Sequence, residues 1–289
     1  MMNLLIALIP AVICGINPTF IGKIGGKPVQ QATGFSFGAL IMAVVLFLVL
    51  RPEMSTGMII AGLISGLGVA VGVLSQFKSY EILGTSMGFA LTTGFILVFN
   101  ALFGVLVFHE WTTALQLGLG FGALLLILFG VSRVAYREKK EQVDLKNGLI
   151  VSVISGIGFM LYSCAPQLGS AGGFGVLLPQ AIGFTAGVLL IGSFGSKGVK
   201  RFDGTTLRLI MPGLLWALAN LALIFSNERN GVAVGFTVGN FCLVISTIMS
   251  LTVLHEASLL TKKEMKYTAY GVILITIGMV MIGMTKVIA

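Results

Sequence analysis

Apolar residues run along this chain in blocks of about twenty, each closed by a short cluster of polar or turn-forming residues. A helix needs roughly 20 mainly apolar residues to cross a bilayer. Blocks of that kind lie near 3–21, 30–50, 57–77, 84–108 and 112–133, and again near 147–166, 174–195, 206–226, 231–254 and 265–287. The pattern therefore predicts ten transmembrane helices joined by short connections. The largest hydrophilic run, Arg133 to Asn147, reads as a linker and not as a separate domain.

Composition points the same way. Of 289 residues, 56% are hydrophobic and 10% charged, with a mean hydropathy of +1.03; soluble domains carry about 25% charged residues. A chain this poor in charge cannot cover itself with a hydrated surface, so lipid must be its solvent. The 39 glycines suit helices that approach one another closely inside a bilayer. The first block has no basic leader and no small-residue cleavage site, and is expected to be a spanning helix. Cys14, Cys164 and Cys242 stand alone in apolar segments, which predicts small buried side chains rather than a disulfide framework or a metal site.

A net charge of +8 would suggest nucleic acid in a soluble protein. In a membrane protein it is expected on the cytoplasmic face instead, and no nucleic-acid partner follows. With ten spans, one face receives fifteen of the eighteen Lys and Arg residues, and the other only Arg51, Arg229 and Lys286. The first face should be cytoplasmic, which leaves both termini outside.

An internal repeat organises the chain. Phe95 to Glu110 and Phe241 to Glu256 match at a constant offset of 146, which brings the only two histidines into register as His109-Glu110 and His255-Glu256. A weaker match joins the segment from Pro28 to Phe35 with that from Pro179 to Phe184, pairing Gln31 with Gln180. Each half, 1–140 and 141–289, holds five spans. An odd number inverts the second half, so the expected fold class is an all-α integral membrane protein of two inverted five-helix repeats forming one transmembrane domain. That architecture belongs to secondary transporters, which exchange the conformations of two similar halves.

The acidic residues all fall at helix ends or in connections. Ionisable groups within spans usually mark ion relays or charged-substrate sites, so their absence there favours a neutral substrate. The spans hold carboxamides, hydroxyls and aromatics instead. Candidate ligand-binding residues are Asn17, Gln31, Gln76 and Thr92 in the first half, and Tyr162, Gln180, Trp216, Asn220 and Asn240 in the second. Carboxamides donate and accept together, as a hydroxylated molecule requires, and an aromatic face suits the C–H side of a sugar ring. Each such residue has a structural alternative, as hydrogen-bonding glue between helices. Trp216 and Asn220 lie four apart, on one helix face. The pairs His109-Glu110 and His255-Glu256 have two readings, proton exchange near the membrane surface or capping at a turn. No segment resembles a phosphate-binding loop, a zinc site or a nucleophilic triad, and no cofactor is implied.

Several segments resemble the glucose/ribose porter family of the drug/metabolite transporter superfamily. They are Gly25-Gly26-Lys27-Pro28-Val29-Gln30-Gln31, Phe103 to Trp111, Tyr162-Ser163-Cys164-Ala165-Pro166-Gln167, Leu178 to Gly183 and Pro212-Gly213-Leu214-Leu215-Trp216-Ala217. The resemblance runs nearly the whole chain in matching order. It implies a ten-helix monosaccharide uptake protein, coupled to protons, with a cavity between its halves to which Gln180, Trp216 and Asn220 contribute. The chain departs from the family at Cys14-Gly15, Val69, Val73 and Gly239-Asn240, positions where a sugar would be held. The readings left open are export of an amphipathic metabolite or drug, and a non-transporting membrane sensor. The expected partners are a small sugar-like solute, the lipid bilayer and protons, and the expected assembly is a monomer or homodimer. The charge asymmetry predicts that a tag at Ala289 is accessible on intact cells; accessibility only after permeabilisation would reverse the assigned orientation.

Overall fold

The computed structural model describes residues 2–138, 143–168, 173–195, 198–230, 241–285 and 287. Its long helices are α1 (Met2–Ile24), α2 (Pro28–Leu50), α3 (Thr56–Leu83), α4 (Thr85–Phe108), α5 (Ala114–Val134), α6 (Leu145–Leu168) and α7 (Leu177–Gly195). A single-turn α8 (Gly204–Arg208) follows, then α9 (Ile210–Asn230), α10 (Cys242–Val253) and α11 (Lys262–Thr285). Among the described residues there are thus ten substantial helices and no strand. Among the described residues, eight helical segments are long and apolar enough to cross a membrane, one of them running from α8 into α9 (Gly204–Ala222), and α1 and α10 add the apolar segments Leu8–Ile24 and Cys242–Val253. Side chains such as Leu48, Val49, Leu106 and Leu125 remain 65–73% exposed on the outside of the bundle, a surface that lipid can cover and water cannot.

The apolar pattern locates the helices, and local chemistry sets their ends. Proline stands at the first position of α2, where its missing N–H is not needed, and the Gln30 side chain accepts from the Lys27 N–H at 2.8 Å. Thr113 and Gln116 exchange the two bonds of a capping box at α5, at 3.2 and 3.0 Å. The third span was expected to end near residue 77 but continues to Leu83. Lys78 and Glu81, which look like a connection in the sequence, pair with each other at 2.6 Å on the helix surface. The eighth span, expected from about residue 206, runs from Gly204: Asp203 caps its first turn, α8, with Thr206 N–H donating to its carboxylate at 2.9 Å, and α9 continues from Ile210.

Packing follows a definite scheme. Helix α3 lies against α6 and α7; α9 lies against α1 and α2; α4 lies against α6, and α10 against α1. The pairs α2·α7, α4·α10 and α5·α11 complete it. Glycine makes the closest of these contacts possible. A Cβ on Gly213 would overlap the Phe35 carbonyl, one on Gly38 the Ile210 carbonyl, and one on Gly66 the Gln180 carbonyl. A Cβ on Gly183 would stand 2.6 Å from the Leu63 oxygen. Gly130 and Gly271 face each other in the same way between α5 and α11. Without a hydrophobic drive between helices in lipid, this backbone proximity is what dispersion has to work with.

One end of the bundle gathers the charged connections. Lys27 pairs with Glu81 at 3.0 Å, Gln30 donates to Asp203 at 2.8 Å, and Lys263 pairs with Glu138 at 3.3 Å. At this basic end the Thr206 backbone N–H, with help from Gln30, holds the Asp203 carboxyl below the usual carboxylate range. The opposite end is joined by Gln116 donating to Thr285 O at 3.1 Å.

Gly213→Ala is expected to destabilise the protein by about 1–3 kcal/mol, because two backbones must separate to admit one methyl group. Gly118→Ala, where an added Cβ meets nothing within 4 Å, should leave the melting temperature of detergent-purified protein near wild type. Equal effects of the two substitutions would remove the close-packing explanation.

Candidate functional site

Proline breaks the helical ladder where the helices meet. Pro18 lies inside α1 and Pro166 inside α6, and neither can donate to the carbonyl four residues earlier. For Pro166 the freed acceptor is Tyr162 O, which receives the Ser65 hydroxyl at 2.8 Å. Ser65 in turn accepts from Gln180 Nε2 at 2.6 Å. The Tyr162 hydroxyl donates to Asn220 Oδ1 at 3.1 Å, and Asn220 Nδ2 donates to Trp216 O at 2.9 Å. These bonds join α7, α3, α6 and α9 in one chain.

Asn17, next to Pro18, crosses to α9 and donates to Pro212 O at 3.0 Å. Its Oδ1 is buried and has no hydrogen-bond partner, although the side chain is only 4% exposed. A buried acceptor left unpaired costs about 1–3 kcal/mol; Asn100 Oδ1 is left in the same way, but beside the cavity at the other end of α4. Asn17 lines a cavity of about 200 Å³ between α1, α2, α3, α4, α6, α9 and α10. Gln76 and Thr93 add polar groups to its wall, and Phe35, Phe77, Tyr80, Phe89, Phe159 and Trp216 add aromatic faces. Cys14 and Cys242 complete it. Thr92 lies behind the wall, bonded to Gly88 O at 2.9 Å and accepting from Gln76 Nε2 at 3.1 Å, so it positions Gln76.

A smaller cavity of about 40 Å³ lies on the other side of Trp216, lined by Ala39, Leu46, Leu177, Gln180, Phe184 and Asn220 among others. The candidate residues therefore divide. Asn17, Gln76 and Trp216 share the central cavity; Gln180 and Asn220 share the smaller one with Trp216. Tyr162 touches the Trp216 ring, centroid to centroid 6.2 Å. Gln31 sits at the basic end, donating to Gly25 O at 3.3 Å, and lines neither cavity. Asn240 lies outside the described residues. The sequence reading missed the phenylalanines of the central wall. Phe35 on the central wall, and Phe184 on the smaller cavity, carry a legible signal, since they close the matching segments from Pro28 to Phe35 and from Pro179 to Phe184.

Both His-Glu pairs sit at turns, with His109 and His255 at positive φ of 51° and 57°. Helix α4 begins after Gly84, which has no side chain to cap it. Glu256 supplies the cap from the other half of the chain, accepting from Thr85 N at 2.6 Å and Ser86 N at 2.9 Å. Its negative charge also suits the positive end of the helix. His109 and Glu110 lie at the far end of the same helix, where Glu110 N–H donates to Gly104 O at 3.1 Å. Glu110, Asn100 and Ser163 line a third cavity of about 240 Å³.

Apolar helices with lipid-suited outer faces and an internal polar-aromatic cavity define a multi-pass α-helical membrane protein. A family model described as "Sugar transport protein" matches residues 5–285, and the chain belongs to that family. It is 36% identical over 290 residues to the "Glucose uptake protein GlcU" of Bacillus subtilis, covering 99% of both chains. It is 41% identical over 288 residues to a Listeria monocytogenes protein named "Putative sugar uptake protein lmo0169", covering 99% of this chain and 100% of that one. A crystal structure with 13% sequence identity superposes with a TM-score of 0.62, covering 97% of this chain and 98% of that one; the likeness is one of fold.

Loss of the long-range cap should be measurable. Glu256→Ala is expected to lower stability by about 1 kcal/mol, read as a lower melting temperature, with Glu256→Gln recovering part of it. A melting temperature unchanged by Glu256→Ala would show that the cap bears no load.

Proposed function

We propose that this protein takes up a small neutral monosaccharide such as glucose or ribose by alternating access, and that the central cavity is its binding site. The observation that carries this reading is the unpaired, buried Asn17 Oδ1 in a cavity walled by aromatic rings and a second carboxamide, Gln76. A sugar hydroxyl supplies the missing donor, and the C–H face of the ring lies against Trp216 or Phe35. The uptake names of the relatives support the substrate class.

The halves 1–140 and 141–289 act as inverted repeats in this reading. Exchanging α1 with α6, α2 with α7, α3 with α9, α4 with α10 and α5 with α11 turns α3·α6 into α9·α1, α3·α7 into α9·α2, and α4·α6 into α10·α1. The pairs α2·α7, α4·α10 and α5·α11 map onto themselves. These matched packings, though not every helix pair has a counterpart, support a reading in which the two halves open in equivalent ways. The positive-inside rule then places the basic end in the cytoplasm and both termini outside. We assign capping to the His-Glu pairs, on the strength of the Glu256 bonds to α4. Among the described residues no carboxylate or histidine lines either central cavity, so proton coupling rests on the family resemblance alone.

Influx of labelled glucose into proteoliposomes tests the assignment. Asn17→Leu and Gln76→Leu are each expected to reduce it by about tenfold or more, as loss of a buried hydrogen bond to a ligand does, while excess unlabelled sugar, and not an organic amine, competes in the wild type. Wild-type rates in both folded variants would place the site elsewhere.

A further inference from the structure

Trp216 lines both the central and the smaller cavity. The two lie towards opposite ends of the bundle. The central one reaches Ile21 and Tyr80, close to the basic-end termini of α1 and α3. The smaller one reaches Leu46 and Leu177, close to the termini at the other end. Between them stand four rings. The Trp216 centroid is 5.5 Å from Phe35, 6.2 Å from Phe184 and 6.2 Å from Tyr162, and Phe35 is 6.3 Å from Phe184. These are the separations of aromatic rings in contact, too close for a solute of sugar width to pass between them.

The rings differ in their freedom. Phe35 and Phe184 are 4% and 1% exposed, and their backbones sit at the tightest helix contacts, Phe35 against Gly213 and Phe184 against Gly66. Neither can swing without parting two helices. Trp216 is only partly buried, and open space adjoins it on both sides. It is the ring able to move.

We propose that Trp216 is the barrier between two half-channels, and that its indole must swing away from Phe35 and Phe184 for a solute to pass. Its side chain then sets the size of what can cross. This assignment rests on the reading of the protein as a transporter, but on no particular substrate.

The two cysteines of the central cavity report on the barrier without any sugar. In a Cys164→Ser background, Cys14 and Cys242 are the remaining thiols. A membrane-impermeant methanethiosulfonate reagent is applied to vesicles of each orientation, with total thiol measured in detergent. Labelling from the basic-end face is expected to exceed that from the other face by about tenfold, a barrier difference of one factor of ten in rate. Trp216→Ala should bring the two faces to within about twofold of each other, and Trp216→Phe, a shorter ring, to an intermediate ratio. The proposal is overturned if folded Trp216→Ala and Trp216→Phe both keep the wild-type asymmetry, or if the unsubstituted barrier gives equal or no labelling from the two faces. A wrong sugar assignment leaves these ratios unchanged, so the two failures are distinct.

Discussion

Contact between bare backbones of paired helices is the constraint from which the rest of the structure follows. Gly213 on α9 meets the Phe35 carbonyl on α2, and Gly66 on α3 meets the Gln180 carbonyl and the Phe184 N–H on α7. In lipid, apolar side chains gain nothing by leaving their surroundings, so helix association depends on contact and on hydrogen bonds. Trp216 lies three residues beyond Gly213, almost one turn, and so is carried against Phe35. The same logic brings Phe184 to the other side of the indole. The cavities on each side of Trp216 are what the bundle leaves after these contacts are made.

Polar groups solve a second problem, that of backbone atoms freed by proline. Pro166 releases the Tyr162 carbonyl, and the answer is a relay from Gln180 through Ser65. Gln180 and Asn220 are thus both cavity-facing and committed to interhelical bonds, which reduces what they can offer a ligand. Asn17 differs. Its amide nitrogen is used on Pro212 and its oxygen is left over. A single unpaired acceptor inside an aromatic chamber is better matched to a hydroxylated guest than a fully bonded amide would be.

Among the described residues, neither central cavity is lined by a charged side chain, and the ion pairs lie at the ends, where they fasten connections. Glu256 illustrates this, crossing from one half of the chain to close the N-terminus of α4, which Gly84 cannot cap. Glu264 does similar work, accepting from the nearby Thr261 N–H and, across the two halves, from the Glu138 N–H at 2.9 Å each. Such bonds stabilise one arrangement of the halves at the basic end. They are also the bonds that any rearrangement of that end must break.

Much of this was legible in the sequence. Hydropathy alone locates the helices, because a bilayer imposes one length and one solvent on every span. The paired His-Glu segments mark equivalent turns, because the left-handed backbone at His109 and His255 is a local feature of each turn. The family motifs singled out Trp216 for the same reason, being strings of adjacent residues. What the sequence could not carry is which polar group remains unpaired. Asn17 and Asn220 are the same residue type in similar apolar surroundings, yet one amide is fully bonded and the other is not. Gln31 matched Gln180 in its repeat, but lies at the end of the bundle bonded to Gly25 O. The difference between the two asparagines depends on partners 58 and 195 residues away, and only the packed helices bring them within reach.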